Sequence, residues 1–317
     1  MKAQSLQETT LHQIFPEGEI YAVSDCEWMR IAAAYYGLQG VAVEDSSKLP
    51  PDASVVLFLR TQLVSSRIRQ QFPHARVLVV PIASFDSSLE AALYTQKLVT
   101  RTDYVAACAQ GRYWVDSITS KPGPLVFRSE VTHLTCSFSD ELSAAAWLEP
   151  AIGPGQWVSV GSFCELSFST PPSRNQESPF SLNGTIVATG VLVARDGHFT
   201  EAGDARIKAA EKLRRELVAA APITLHLADG VLTSVCAGGR DFTDAVRQAT
   251  NPEHGLQALE LGIGTNQSVL PDVLWEFNSQ LNEGAGPVHL GFGEGVSGAH
   301  MDFIVADGSH EFVTSSE

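Results

Sequence analysis

The sequence predicts an α/β protein: an N-terminal α/β layer domain, followed by a β-rich α+β domain that carries a candidate metal site. Three observations lead there. In the first part, short apolar runs alternate with helix-like stretches, the pattern of strands layered against helices. Around "TCSFSDELSAAAWLEPAIGPGQW" the texture changes, and glycine and proline turns begin to separate β-like runs. The composition is that of an ordinary globular chain, with 44% hydrophobic and 18% charged residues over 317 positions, enough for one large core or two smaller ones. Residues 1–135 are expected to form the first domain and residues 136–317 the second.

Taken in order, "EIYAVSD" reads as a strand and "CEWMRIAAAYYGLQG" as a helix closed by glycine. "SVVLFLR" and "ARVLVVPIAS" read as strands, with the helical "SSRIRQQFPH" between them. "DSSLEAALYTQKLVTRTDYVAACAQG" holds one long helix or two. No GxGxxG fingerprint follows the first strand, so a dinucleotide site has little support. In the second part "GTIVATGVLVA", "PITLHLADGVLTSVCA" and "GPVHLGFG" read as β, with an Asp-Gly hairpin turn inside "HLADGV". "TEAGDARIKAAEKLRRELVAA" is the clearest helix, with apolar residues at helical spacing and basic residues in its later turns.

Charge narrows the function. Lys plus Arg number 21 against 36 Asp plus Glu, for a formal net charge of −15. That argues against a nucleic-acid binder, whose affinity begins with phosphate neutralisation. The longest apolar runs are too short to span a bilayer, and the N-terminal residues lack the apolar core of a signal peptide, so a cytoplasmic protein is expected. Five scattered cysteines without a CxxC pair read as free buried thiols.

The chemistry concentrates near the C-terminus, in "PVHLGFGEGVSGAHMDFIV". His300 and Asp302 flank Met301, and in a strand residues two apart face the same side. His289 lies in a second strand-like run, and a hairpin of the two would bring all three side chains together. Two imidazoles and a carboxylate suit iron, zinc or manganese. Glu165 in "GSFCELSFSTPP" and Glu260 in "ALELGIGTN" are carboxylates within apolar runs. Such groups are costly to bury unless paired or metal-bound, and with the other three they could supply a two-metal site. The plainer alternative treats His300 and Asp302 as a hydrogen-bonded strand-edge pair and Glu165 as a partly exposed strand residue. Glu294, in the glycine turn, is either a general base or a solvated carboxylate. The remaining histidines (His12, His74, His133, His198, His226, His254 and His310) share no pattern.

These motifs, covering the chain from about Glu149 onward, resemble the metal-dependent aminopeptidases of the T and S type and the related 2,5-dihydroxypyridine dioxygenases. The resemblance implies Glu165, Glu260 (in a bridging position), His289, His300 and Asp302 as metal ligands. It also implies a divalent metal (Zn, Mn, Co or Fe(II)) and a homodimer. Two departures stand out. In the aminopeptidases a longer segment bearing a tyrosine follows the histidine strand. Here "GEGVSG" leads almost directly to His300, and no tyrosine occurs after Glu165.

Three functions compete. The first is a metal-dependent hydrolase of the aminopeptidase type, acting on a peptide or amide bond, with Glu165 or Glu294 moving the proton. The second is a mononuclear Fe(II) ring-cleaving dioxygenase or oxygenase, held by His289, His300 and Asp302. The third is peptide binding without turnover, as some relatives in peptide natural-product pathways resemble such binders. The partner expected in each case is a peptide or small molecule, not a nucleic acid or a membrane.

Overall fold

The computed structural model describes residues 9–312 except 61–65, 83–87, 121–122, 140–143, 170–177 and 196–200. His198 therefore lies outside the described residues.

The chain begins with a parallel layer. Strand β1 (Ile20–Ser24) is followed by helix α1 (Glu27–Tyr35), β2 (Gln39–Ala42) and β3 (Ser54–Leu59). Then come α2 (Ser66–Gln71), β4 (Arg76–Pro81), α3 (Leu89–Arg101) and α4 (Tyr104–Ser120). The apolar runs of β1 and β3 are buried along their whole length, as expected of parallel strands covered on both faces. On one face Ala22, Val56, Phe58 and Leu78 pack with Met29, Ala33, Leu98 and Val99 of α1 and α3. On the other Val23, Val55, Leu57 and Val77 pack with Phe72 and Ile68. The stretch expected to be one helix or two is two, because Asp103 caps a new helix: its Oδ1 accepts the Ala106 N–H at 3.0 Å.

The second part adds β5 (Leu125–Arg128), β6 (His133–Phe138), β7 (Trp157–Ser159), α5 (Val160–Cys164) and β8 (Glu165–Ser169). It continues with β9 (Phe180–Ala188), β10 (Gly190–Ala194), α6 (Glu201–Ala219), β11 (Ile223–Ala228) and β12 (Val231–Ala237). The last elements are β13 (Arg240–Asp241), α7 (Thr243–Thr250), β14 (Ala258–Gly264), β15 (Val288–Phe292), β16 (His300–Val305) and β17 (Ser309–Phe312).

Among the described residues, three sheets result. The parallel sheet has order β2-β1-β3-β4-β7, so its fifth strand comes from well beyond residue 135. An antiparallel seven-stranded sheet has order β13-β12-β11-β9-β6-β5-β17 and takes β5 from before that point. The chain thus crosses between sheets on both sides of residue 135. A second antiparallel sheet, β10-β16-β15-β14-β8, carries the sequence motifs of interest. The Asp-Gly pair does turn a hairpin between β11 and β12: Asp229 and Gly230 have φ of 51° and 74°, the left-handed pair that a two-residue type I′ turn requires.

The two antiparallel sheets face each other across one apolar core. Leu166, Phe168, Leu261, Ile263, Leu290, Phe292, Met301 and Phe303 meet Phe127, Leu134, Leu182, Ile186 and Leu225 there. Strand alternation then sends the intervening residues of β8, β14, β15 and β16 to the opposite face, toward the parallel layer. That face is covered by the run between β14 and β15, including the 3₁₀ turn Gln280–Ala285. Arg214 of α6, almost fully buried, anchors this run by donating to the Trp275 and Glu276 carbonyls. Asn278 acts as a surrogate strand on the edge strand β10: its Oδ1 accepts the Val193 N–H at 2.9 Å, and its Nδ2 donates to Val193 O at 2.7 Å.

Replacing Asn278 by alanine leaves both of those buried Val193 groups without this partner. The expected cost is roughly 2 to 4 kcal/mol, readable as a lower denaturation midpoint with an unchanged m-value. An unchanged midpoint would show that the cover does not depend on this side chain.

Candidate metal centre

The site follows from alternation and register. β15 and β16 pair antiparallel with Gly291 opposite Asp302 and His289 opposite Ile304. β14 pairs with β15 so that Glu260 lies opposite Gly291 and Gly262 opposite His289. β8 pairs with β14 so that Glu165 lies opposite Gly264 and Ser167 opposite Gly262. Glu165, Glu260, His289, His300 and Asp302 therefore share one face of one sheet, and the glycines facing them leave room for their side chains. A Cβ on Gly262 would overlap the His289 imidazole, and one on Gly291 would sit 2.6 Å from both Asp302 Oδ1 and His300 Nε2.

Two sub-clusters form. In the tighter one, His300 Nε2 lies 2.8 Å from Asp302 Oδ1 and 3.1 Å from Glu260 Oε2. One ligand atom from each of these three residues falls within 4.8 Å of the others. In the second, His289 Nε2 lies 3.4 Å from Glu165 Oε2. His289 and Asp302 are fully buried and Glu165 nearly so, while the side chains of His300 and Glu260 keep about a fifth of their surface open (19% and 21%).

Second partners set the orientation of the ligands. His300 Nδ1 lies 2.6 Å from the Gly293 carbonyl. A carbonyl can only accept, so Nδ1 carries the proton and Nε2 is the atom presented to Glu260 and Asp302. Ser167 donates a hydrogen bond to Glu260 Oε1.

Burial and charge act together on the acids. Burial, then the charges of Glu260 and Asp302, push Glu165 well above its ordinary value. Burial would also raise Glu260, but its contacts with His300 and Ser167 and the charges of His300 and His289 outweigh that and hold it at about 2. Burial would lower His300, but Asp302 and Glu260 raise it well above 6.5.

A further carboxyl escaped the sequence reading. Glu283, in the 3₁₀ turn over the site, is 7% exposed. Burial first, then the charges of Glu165, Asp302 and Glu260, raise it well above its ordinary value. No signal in "SQLNEGAG" reveals it, since Asn, Glu and Gly in that order read as an exposed turn. Glu294, by contrast, is exposed and accepts from Ser297 Oγ at 2.5 Å.

The donor set fits a divalent ion. His289 Nδ1 and Asp302 Oδ2 are buried without a hydrogen-bond partner, and His289 Nε2, Glu165 Oε2 and Asp302 Oδ1 have none beyond the imidazole–carboxylate contacts above. Such atoms are rare singly, because each costs the desolvation of a polar group. Their concentration in one cluster of imidazole and carboxylate donors matches a Zn, Mn, Co or Fe(II) coordination shell.

A family model described as "Crocagin biosynthetic protein CgnE/B" matches residues 17–313. Two solved structures are similar in fold over almost the whole chain. Wild-type AmpT from Thermus thermophilus shares 13% identity at a TM-score of 0.47, covering 98% of this chain and 97% of that one. The 2,5-dihydroxypyridine dioxygenase from Pseudomonas putida KT2440 shares 13% identity at a TM-score of 0.48, covering 97% of this chain and 94% of that one. None of the curated proteins compared matches significantly. Among the described residues, no helix is long and apolar enough to cross a membrane.

The cluster imposes a pH signature on the chain. Glu260 contributes stability above the ordinary glutamate value of 4.5 and loses it as pH falls toward about 2. Glu165 and Glu283 act in the opposite sense: their contribution is complete below 4.5 and is lost as pH rises through their raised values. That of His300 is complete below 6.5 and is lost as pH rises through its raised value. Unfolding free energy in chelator is therefore expected to fall as pH climbs from 5 to 9, with a shallower slope in Glu165→Gln. Urea titrations across that range test it, and a flat or rising wild-type profile contradicts it.

Proposed function

The chain belongs to the crocagin biosynthetic protein CgnE/B family, and from that premise we propose that it is a metal-dependent hydrolase acting on a peptide or amide bond. Glu165, Glu260, His289, His300 and Asp302 would hold one or two divalent ions, with Glu283 as an additional carboxylate at their edge. The observation that carries the reading is the gathering of buried imidazole and carboxylate groups in that cluster, with His289 Nδ1 and Asp302 Oδ2 left without a hydrogen-bond partner.

A bound divalent ion supplies a Lewis acid and a water of lowered pKa. The side chains do the rest. His300, its Nδ1 fixed on the Gly293 carbonyl, would offer its Nε2, which faces Glu260 and Asp302, to a bound ion. Ser167 holds one Glu260 oxygen in place and leaves the other facing His300. Glu165 and Glu283, whose carboxyls burial and the neighbouring acids push well above their ordinary value, would take and return a proton. Exposed Glu294, already engaged by Ser297, is less suited to that role.

The division into a Glu260–His300–Asp302 group and a Glu165–His289 pair favours two ions over a mononuclear iron on His289, His300 and Asp302. Peptide binding without turnover is the second reading, supported by membership of a biosynthetic family and by the short Gly293–Gly298 connection beside His300.

Chelator-treated protein given Zn, Mn, Co or Fe(II) should take up metal and gain stability, by roughly 2.7 kcal/mol at a hundredfold excess over Kd. His300→Ala should lose most of that gain. Release of an amine from unblocked test peptides supports hydrolysis. Oxygen consumption with Fe(II) would move the assignment to an oxygenase, and uptake without turnover to binding. Unchanged melting with every ion would remove the metal reading.

A further inference from the structure

Ser167 shares the ligand face of the sheet, and its register gives it a particular place there. β8 and β14 pair with Ser169 opposite Glu260, Ser167 opposite Gly262 and Glu165 opposite Gly264. Residues directly opposite share a face, and every second residue along a strand returns to it. Along the strands, Ser167 therefore stands between the level of Glu260 and that of Glu165. It is level with His289, which lies opposite Gly262 from the other side. Ser167 is 7% exposed. Its backbone is held on both edges, by β14 and by Ala145, whose N–H donates to Ser167 O at 2.8 Å and whose carbonyl accepts the Ser167 N–H at 3.1 Å.

This placement divides the two oxygens of Glu260. Ser167 Oγ donates to Oε1, from the side of the Glu165–His289 pair. Oε2 lies 3.1 Å from His300 Nε2, which is itself 2.8 Å from Asp302 Oδ1. Two-metal sites hold their ions about 3.5 to 4 Å apart, a span that a carboxylate bridges with one oxygen on each ion. The sequence resemblance implies that role for Glu260. Here, giving Oε1 to a second ion would compete with a hydrogen bond to a charged acceptor, and losing that bond would leave a nearly buried hydroxyl unpaired.

We propose that Ser167 is a positioning residue: it withholds Glu260 Oε1 from the Glu165–His289 pair, so that Glu260 serves the His300–Asp302 position alone. The two metal positions are then unequal, and this side chain does not bridge them. The proposal rests on the metal reading above.

Metal-free wild type, Ser167→Ala and Ser167→Thr are titrated with Zn, Mn, Co and Fe(II), and the stepwise dissociation constants are read by calorimetry. Loading with Mn(II) or Co(II) also reports exchange coupling between two ions by electron paramagnetic resonance, a signal that lost packing does not create. Wild type should bind one ion tightly and a second more weakly. Ser167→Ala frees Oε1 and should narrow the ratio of the second constant to the first about tenfold, with stronger coupling. Ser167→Thr keeps the hydroxyl and should match wild type. Ser167→Gly lacks the same hydroxyl and serves if Ser167→Ala does not fold. An unchanged or wider ratio, or unchanged coupling, in the variant without the hydroxyl overturns this inference alone. So does a Ser167→Thr that matches Ser167→Ala. A wild type that takes up none of the four ions overturns the metal reading, and this inference with it.

Discussion

Four carboxyl groups and two imidazoles occupy one water-poor region of this protein, and the rest of the structure is arranged around that constraint. Each such group, buried as an isolated charge, would cost several kcal/mol. The fold does not disperse them. It gathers Glu165, Glu260, Glu283, His289, His300 and Asp302 so that each lies in the field of the others. Glu260 and Asp302 then raise His300, the two histidines hold Glu260 low, and burial with the neighbouring acids raises Glu165 and Glu283. Even so, His289 Nδ1 and Asp302 Oδ2 lack hydrogen-bond partners.

The sheet that carries the cluster separates two tasks by alternation alone. Leu166, Leu261, Leu290 and Phe303 join the core shared with the seven-stranded sheet. The residues between them turn the other way. Packing density on the first face fixes strand spacing and register, and register decides which side chains meet on the second. The glycines at 262, 264 and 291 belong to the same design, since a side chain at any of them would take the space of an imidazole, a carboxylate or the covering backbone. The run that covers the site is held from several directions, by Arg214 of α6, Tyr94 of α3 and the edge of β10.

Family membership and fold likeness bear on different questions. The family places the chain among biosynthetic proteins. The likeness to an aminopeptidase and a dioxygenase, at 13% identity, concerns fold. Glu165, Glu260, His289, His300 and Asp302 share one face of one sheet, and the connection after Gly293 is short.

What the sequence by itself determined was local and periodic. Alternation in "HMDFIV" and "ELSFS" placed His300 with Asp302 and separated Glu165 from Leu166. Continuous apolar runs marked β1 and β3, and an Asp-Gly pair marked the β11–β12 turn. These features follow from dihedral preferences and side-chain direction, which act over a few residues. Tertiary structure alone decided that Glu283 is buried, that Glu165 pairs with His289 while Glu260 joins His300, and that β7 returns to the parallel sheet. Those outcomes depend on which strands become neighbours and on what covers them. A carboxyl's environment is set by groups far away in the chain, so no local pattern around Glu283 could have announced it.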